Sequence, residues 1–201
     1  DRLGIDVHEF YYKSDRMPIY YDWALKLLRL GHAYVCECCA ETLRECREKG
    51  VECGHRGEGT EDNIEKWEHM QDGTYREGEA VLRLKTDMRD PNPAFRDRVL
   101  FRISERQHPR TGGRYRVWPM LEFSWAVDDH LLGITHILRG KDLVIEDEME
   151  KYLWKLFGLE PREFVHYGML RLKEMKLSKS RMRREIEKGL IGGIDDPRTW
   201  S

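Results

Sequence analysis

The chain has no apolar run near the roughly 18 residues that a membrane span needs, because charge interrupts every hydrophobic stretch. Its opening, DRLGIDVHEF, has no apolar h-region, so no signal peptide is expected. Charge of one sign is also missing, since 35 Lys and Arg stand against 37 Asp and Glu. A net charge of -2 excludes a whole-molecule electrostatic pull on nucleic acid. Internal repeats and low-complexity linkers are absent too. The first residue is not Met, so an internal segment of a longer protein is expected. What the chain does have is core material: 6 Trp, 9 Tyr and 6 Phe in 201 residues, which disordered chains lack. The length suits one large domain or two small ones. A soluble, folded, cytoplasmic protein is the expectation.

Charge is distributed unevenly. Residues 171–188 hold eight basic and three acidic side chains, and residues 142–150 hold five acids and no base. On charge pattern alone both read as solvated helix faces.

Hydrophobic spacing organises the rest. Ile19, Trp23, Leu27 and Leu30 recur at helical period, with Pro18 tolerated in the first turn, Ser14 or Asp15 as caps and Gly31 closing the helix. Helices are also expected at 40–49, ending on Gly50, and at 61–72, with Ile64, Trp67 and Met70 inward. The period then changes to alternation at 80–86, 98–104 and 113–119, as in half-buried strands. Beyond Pro119 a helix, a buried strand at 134–140, a helix at 143–157 and a strand at 165–172 follow. Strand, helix, strand in that order predicts a parallel βαβ unit. The fold class is therefore α/β, with an α+β insertion at about 33–117.

All five cysteines fall between positions 36 and 53. An odd number in a reducing context disfavours disulfides. Cys36-x-Cys38 and Cys53-x-His55 together offer three thiolates and an imidazole, a closed set of the kind structural zinc takes. Cys39 or Cys46 could substitute as ligands, and unligated reduced thiols are the plainer alternative. Such a site would pin an insertion with little core of its own.

Residues 176–180 read Lys-Leu-Ser-Lys-Ser after a strand-like MLRL. Two lysines three apart on a loop suit a triphosphate, because fixed cations stabilise charge that develops on transferred phosphate. KLSKS resembles the KMSKS signature of class I aminoacyl-tRNA synthetases. Further segments are similar to the glutamyl/glutaminyl-tRNA synthetase subfamily: SDRMPIYYDWALKLLRLGHAYVCEC (14–38), FRDRVLFRIS (95–104), PMLEFSWAVDDHLLGITHILRGKDL (119–143) and DDPRTW (195–200). The Cys-x-Cys and Cys-x-His pairs resemble the archaeal glutamyl type.

The resemblance implies the second half of a class I Rossmann domain with an α+β acceptor-stem-binding insertion. Residues 1–32 would lead into that insertion, 33–117 would form it, 118–172 would belong to the Rossmann half, and 173–201 would carry the signature loop and the start of the stem-contact region. It implies ATP and Mg²⁺, glutamate and the tRNA acceptor stem as partners, and a monomer. Lys176 and Lys179 match the two signature lysines, which are the catalytic candidates. Arg171 and Leu172 match the adenine-contacting pair, and Leu177, Ser178 and Ser180 complete the nucleotide loop. Leu121 and Trp125 fall at amino-acid pocket positions, where the commoner pattern differs. Arg98 stands where relatives often have proline.

Arg139 falls where glutamate enzymes of the family carry an arginine that pairs with the substrate's side-chain carboxylate. A guanidinium offers that carboxylate a bidentate fork and gains less from an amide. The ordinary structural alternative pairs Arg139 with Asp142 or Glu122. No His-Ile-Gly-His-like string is present, so the segment alone is expected to be inactive. A second hypothesis is a zinc-stabilised tRNA-binding module that kept the fold and lost the chemistry.

Overall fold

The computed structural model describes residues 7–168, 179–190 and 192. Its helices are α1 (Met17–Arg29), α2 (Ala40–Lys49), α3 (Thr60–Asp72), α4 (Leu121–Leu131), α5 (Val144–Phe157) and α6 (Lys179–Glu187). The strands are β1 (Ala33–Cys36), β2 (Val81–Leu84), β3 (Val99–Ile103), β4 (Val117–Pro119), β5 (His136–Gly140) and β6 (Glu163–Tyr167).

Strands β1 to β4 form an antiparallel sheet in chain order. Strands β5 and β6 pair in parallel, Arg139 opposite His166, with α5 as the crossover. The expected βαβ unit is therefore present up to Tyr167, while 169–172 lie outside the described residues. One buried cluster joins the two sheets: Tyr20 and Leu27 of α1, Trp67 of α3, Leu82 and Phe101 of the antiparallel sheet, Phe123 of α4 and Trp154 of α5.

Helix α1 ends as glycine dictates. Gly31 adopts φ 74, and the His32 and Gly31 amides donate back to Leu27 O at 3.1 Å and Leu28 O at 2.9 Å. This is the paired C-terminal arrangement that a left-handed residue permits. The buried face differs from the expected one, comprising Met17, Tyr20, Ala24, Leu27 and Leu28, while Leu30 is exposed. The reason is polar. Tyr20 can go inside because its hydroxyl donates to Asp128 Oδ2 at 2.6 Å. Ser14 and Asp15 do not cap α1, since Arg16 holds that position without a side-chain bond. Strands stand where 80–86 and 98–104 were read, but their burial does not alternate: Leu82, Arg83 and Leu84 are all buried, as are Leu100 and Phe101, and the 113–119 strand shrinks to Val117–Pro119.

Two local features prepare the site below. The β2–β3 register slips between Leu82 and Arg83. A bulge of this kind re-aims side chains, and Arg83 is almost wholly buried at 1% exposure. Asp97, just before β3, adopts φ 42, a left-handed conformation that Asp tolerates better than most residues. Its Oδ1 accepts from Thr86 N at 2.8 Å, its Oδ2 from the Tyr34 hydroxyl at 2.8 Å, and its carbonyl from Arg83 Nε at 2.8 Å.

Candidate functional site

Cys36 closes β1 and Cys38 follows two residues on. Cys53 and His55 lie at the start of the short 3-10 turn Gly54–Gly57. The four ligand atoms all lie within 4.8 Å of one another. Cys36 Sγ is 3.6 Å from Cys53 Sγ and 3.9 Å from His55 Nδ1, and Cys38 Sγ is 3.5 Å from that nitrogen. Tetrahedral zinc with sulfur at about 2.3 Å requires sulfurs about 3.7 Å apart, so the residues fit the ion. Cys39 is exposed and bonds Thr42 Oγ1 at 3.2 Å, and neither it nor Cys46 joins the four.

The surroundings act differently on the thiols and fix the imidazole. Burial raises the Cys36 thiol to about 12. At Cys53 burial acts the same way, but hydrogen bonds with Tyr34 and Cys36 and the nearby Arg83 charge outweigh it and lower the pKa. Arg83 Nη1 donates to Cys36 Sγ at 3.8 Å and Cys53 Sγ at 3.7 Å. His55 turns its Nε2 to Glu37 Oε2 at 3.5 Å. Glu37 is held in turn by Lys66 and by the Tyr75 hydroxyl at 2.7 Å. Carboxylates behind histidine ligands commonly set the ring's tautomer and orientation. Glu37, His55 and Glu58 also converge, but Lys66 already bonds both carboxylates.

A second constellation surrounds Arg139 on β5. Arg139 is 9% exposed. Its Nη1 donates to Asp147 Oδ1 at 2.9 Å and Glu150 Oε1 at 2.5 Å, and Asp129 Oδ2 lies 3.9 Å from Nη2. Asp147 also bonds His166 of β6. Trp125 of α4 lies beneath, its ring centre 4.6 Å from Arg139 Cζ and 5.0 Å from Lys13 Nζ, and Phe164 packs at 5.3 Å. Burial raises Glu150 to about 8 and lowers Lys13 to about 8. The partners of Arg139 are thus Asp147 and Glu150, and neither Asp142 nor Glu122. Glu122 instead bonds Arg98, which also reaches Glu146 Oε1 at 3.1 Å and ties β3 to α4 and α5.

Of the other expected pocket residues, Trp125 lies at Arg139, and Leu121 opens α4 one turn earlier, 52% exposed. Arg171, Leu172, Lys176, Leu177 and Ser178 lie outside the described residues, and Lys179 and Ser180 begin α6. Sequence reasoning missed Glu37, Lys66, Arg83, Asp147, Glu150 and His166. The acidic segment was read as a solvated face, yet Asp147 and Glu150 are 1% and 0% exposed. Their spacing of three, continued to buried Trp154, was the available signal.

Residues 1–200 match the family model for class I tRNA synthetases (E and Q), catalytic domain. The chain is 48% identical over 198 residues to a glutamate–tRNA ligase of Methanocaldococcus jannaschii, covering 98% of this chain and 35% of that protein. It is 49% identical over 197 residues to one of Thermococcus kodakarensis, covering 98% and 34%. A crystal structure of a glutamate tRNA ligase from Elizabethkingia meningosepticum with its amino acid superposes with a TM-score of 0.55 at 18% identity, over 92% of this chain and 39% of that one. At that identity the likeness concerns the fold alone. The chain belongs to the glutamyl/glutaminyl family of class I tRNA synthetases, as part of its catalytic domain. It spans about a third of the length of the curated relatives it matches. Among the described residues no helix is long and apolar enough to cross a membrane.

Proposed function

We propose that this chain is the part of a glutamate–tRNA ligase that grips the tRNA acceptor stem and selects glutamate. The whole enzyme would activate glutamate with ATP and transfer it to the terminal ribose of tRNA. The observation that carries the reading is Arg139, a buried guanidinium at the end of a parallel strand, flanked by Trp125 and fixed by two carboxylates. Relatives at 48% and 49% identity named as glutamate–tRNA ligases support it.

In this reading Asp147 holds the guanidinium through Nη1 and Glu150 holds it through Nη1 and, at 3.5 Å, Nη2, leaving Nε and the second Nη2 hydrogen to meet the substrate's side-chain carboxylate. Leu121 and Trp125 border the amino acid. Lys176 and Lys179 stabilise the charge that develops as pyrophosphate leaves. Arg171 and Leu172 meet the adenine, while Leu177, Ser178 and Ser180 shape the nucleotide loop. Mg²⁺ would neutralise the ATP phosphates when bound. Residues 33–117 form the stem-binding insertion, and Cys36, Cys38, Cys53 and His55 hold a structural zinc that ties β1 to the turn after α2. Residues 118–172 form the second Rossmann half, and 173–201 carry the signature loop. The enzyme acts as a monomer in the cytoplasm.

The test is a charging assay on the full-length protein with tRNA, ATP, Mg²⁺ and labelled glutamate or glutamine. Glutamyl-tRNA is the expected product. Tight tRNA binding without product from either amino acid would instead identify a binding module that has lost the chemistry.

A further inference from the structure

A cleft of about 400 Å³ opens between α2 and the antiparallel sheet, with Leu43, Arg44, Arg47, Arg83, Pro93 and Val99 among its walls. Two of its arginines have unmade bonds. Arg83 spends Nε on the Asp97 carbonyl and Nη1 on the two cysteine sulfurs, but its Nη2 is buried with no partner. Arg47 donates Nη2 to the Pro93 carbonyl at 2.8 Å, while its Nε is likewise buried and unpartnered. Native folds seldom leave charged donors in this state, because an unmade bond on a buried charged group is costly.

The charge around the cleft is also unbalanced. Arg96, next to it, donates only to the main-chain carbonyls of Asp90, Arg47 and Glu48. Arg44, Arg47 and Arg96 form no ion pair among the described residues, and Glu48 is the one acidic wall residue. Burial, followed by repulsion from Arg83, Arg98 and Arg96, lowers the Arg47 pKa. Arg83 has the Asp97 carboxylate near it, and Arg98 is paired with Glu122 and Glu146. The surplus therefore belongs to Arg44, Arg47 and Arg96.

We propose that this cleft binds a phosphate group of an RNA backbone, with Arg47 and Arg83 as donors and Arg44 and Arg96 flanking it. A guanidinium fork matches the spacing of phosphate oxygens and can use the nitrogens now unpaired. The apolar patches of Leu43, Pro93 and Val99 suit the sugar beside a phosphate better than a second charge. Arg44 stands exposed on α2 at the cleft, where a phosphate carried on a chain can reach it. The source of the phosphate rests on the reading of tRNA as a partner, but the site itself does not.

The test uses the full-length, zinc-loaded protein and a labelled RNA hairpin with a single-stranded 3′ end, titrated across a salt series. Inorganic phosphate is titrated separately by calorimetry. Arg47→Gln and Arg44→Gln should each weaken RNA binding by about fivefold or more and reduce the slope of log affinity against log salt by about one. Arg47→Lys should keep the slope and lose part of the affinity. Arg44 is exposed, so its variant carries the test if Arg47→Gln loses zinc or folds poorly. Unchanged affinity and slope in a folded variant, with the wild type binding RNA, would overturn the site alone. Loss of phosphate binding with RNA binding intact would overturn the RNA source. A wild type that binds no RNA would overturn that source and, with it, the tRNA reading above.

Discussion

Arg139 and Glu150 form a buried pair, Nη1 to Oε1 at 2.5 Å, in which the carboxylate is fully enclosed and the guanidinium nearly so. Asp147 shares the same nitrogen, so one cation faces two interior carboxylates and Asp129 beyond them. Asp147 also bonds His166, Lys13 stands near Asp129 and Glu150, and burial holds the proton on Glu150.

The buried Glu150 carboxyl gives stability a pH dependence. Burial raises Glu150 from 4.5 to about 8. Between those values the unfolded chain has released the proton and the folded chain still holds it. The folded state binds more protons there, so stability falls as pH rises through the window. Urea unfolding from pH 5 to 8 should show this decline, and Glu150→Gln should flatten it. Lys13, lowered by burial from 10.5 to about 8, acts in the other direction, adding stability as pH rises between those values. An identical slope in the Glu150→Gln variant would mean the proton is held elsewhere.

The cysteine cluster predicts one zinc per chain. Elemental analysis of protein purified without chelator should find it in the wild type and in Cys39→Ser, but not in Cys53→Ser. Glu37→Gln should keep the metal but weaken it by about tenfold to a hundredfold, the usual effect of removing a carboxylate behind a histidine ligand. Near-zero metal in the wild type would return these residues to plain reduced thiols.

Lys179→Ala should slow adenylate formation while leaving the KM for glutamate nearly unchanged. A cation aimed at charge that develops only in the transition state acts on the chemical step. The expected loss is about 2 to 4 kcal/mol, the scale of a removed preorganised donor. Pyrophosphate exchange, run with tRNA present, checks it. A rate within a factor of two of wild type would remove Lys179 from the chemistry.

Much of this arrangement was readable in the residues. Helix α2 has the predicted bounds because Gly50 stops it with φ 65. Spacing alone brought Cys36, Cys38, Cys53 and His55 together, and the fold then separated them from Cys39 and Cys46. Strand β1 was not read, because four residues are too few to establish a period. The buried face of α1 was misread because Tyr20 counts as inward only once Asp128, more than a hundred residues away, supplies its partner. Asp147 and Glu150 were hidden although Arg139 is only eight and eleven residues away. An acid belongs inside only when the fold lays a cation against it, and charge pattern alone does not show which face of α5 meets β5.

The central claim is that Arg139 selects glutamate by its side-chain carboxylate, and kcat/KM for glutamate and glutamine in the full-length enzyme tests it most directly. Arg139→Ala leaves Glu150 without its partner and Asp147 with His166 alone, so it should also cost about 3 to 5 kcal/mol of stability. Arg139→Gln paired with Glu150→Gln relieves that charge and keeps the comparison on a folded protein. The account predicts that this double variant, unlike Glu150→Gln alone, loses glutamate activation by orders of magnitude and glutamine activation far less, so the preference narrows. A glutamate-to-glutamine ratio unchanged from wild type in the folded double variant would contradict it and leave Arg139 as a structural partner of its two acids.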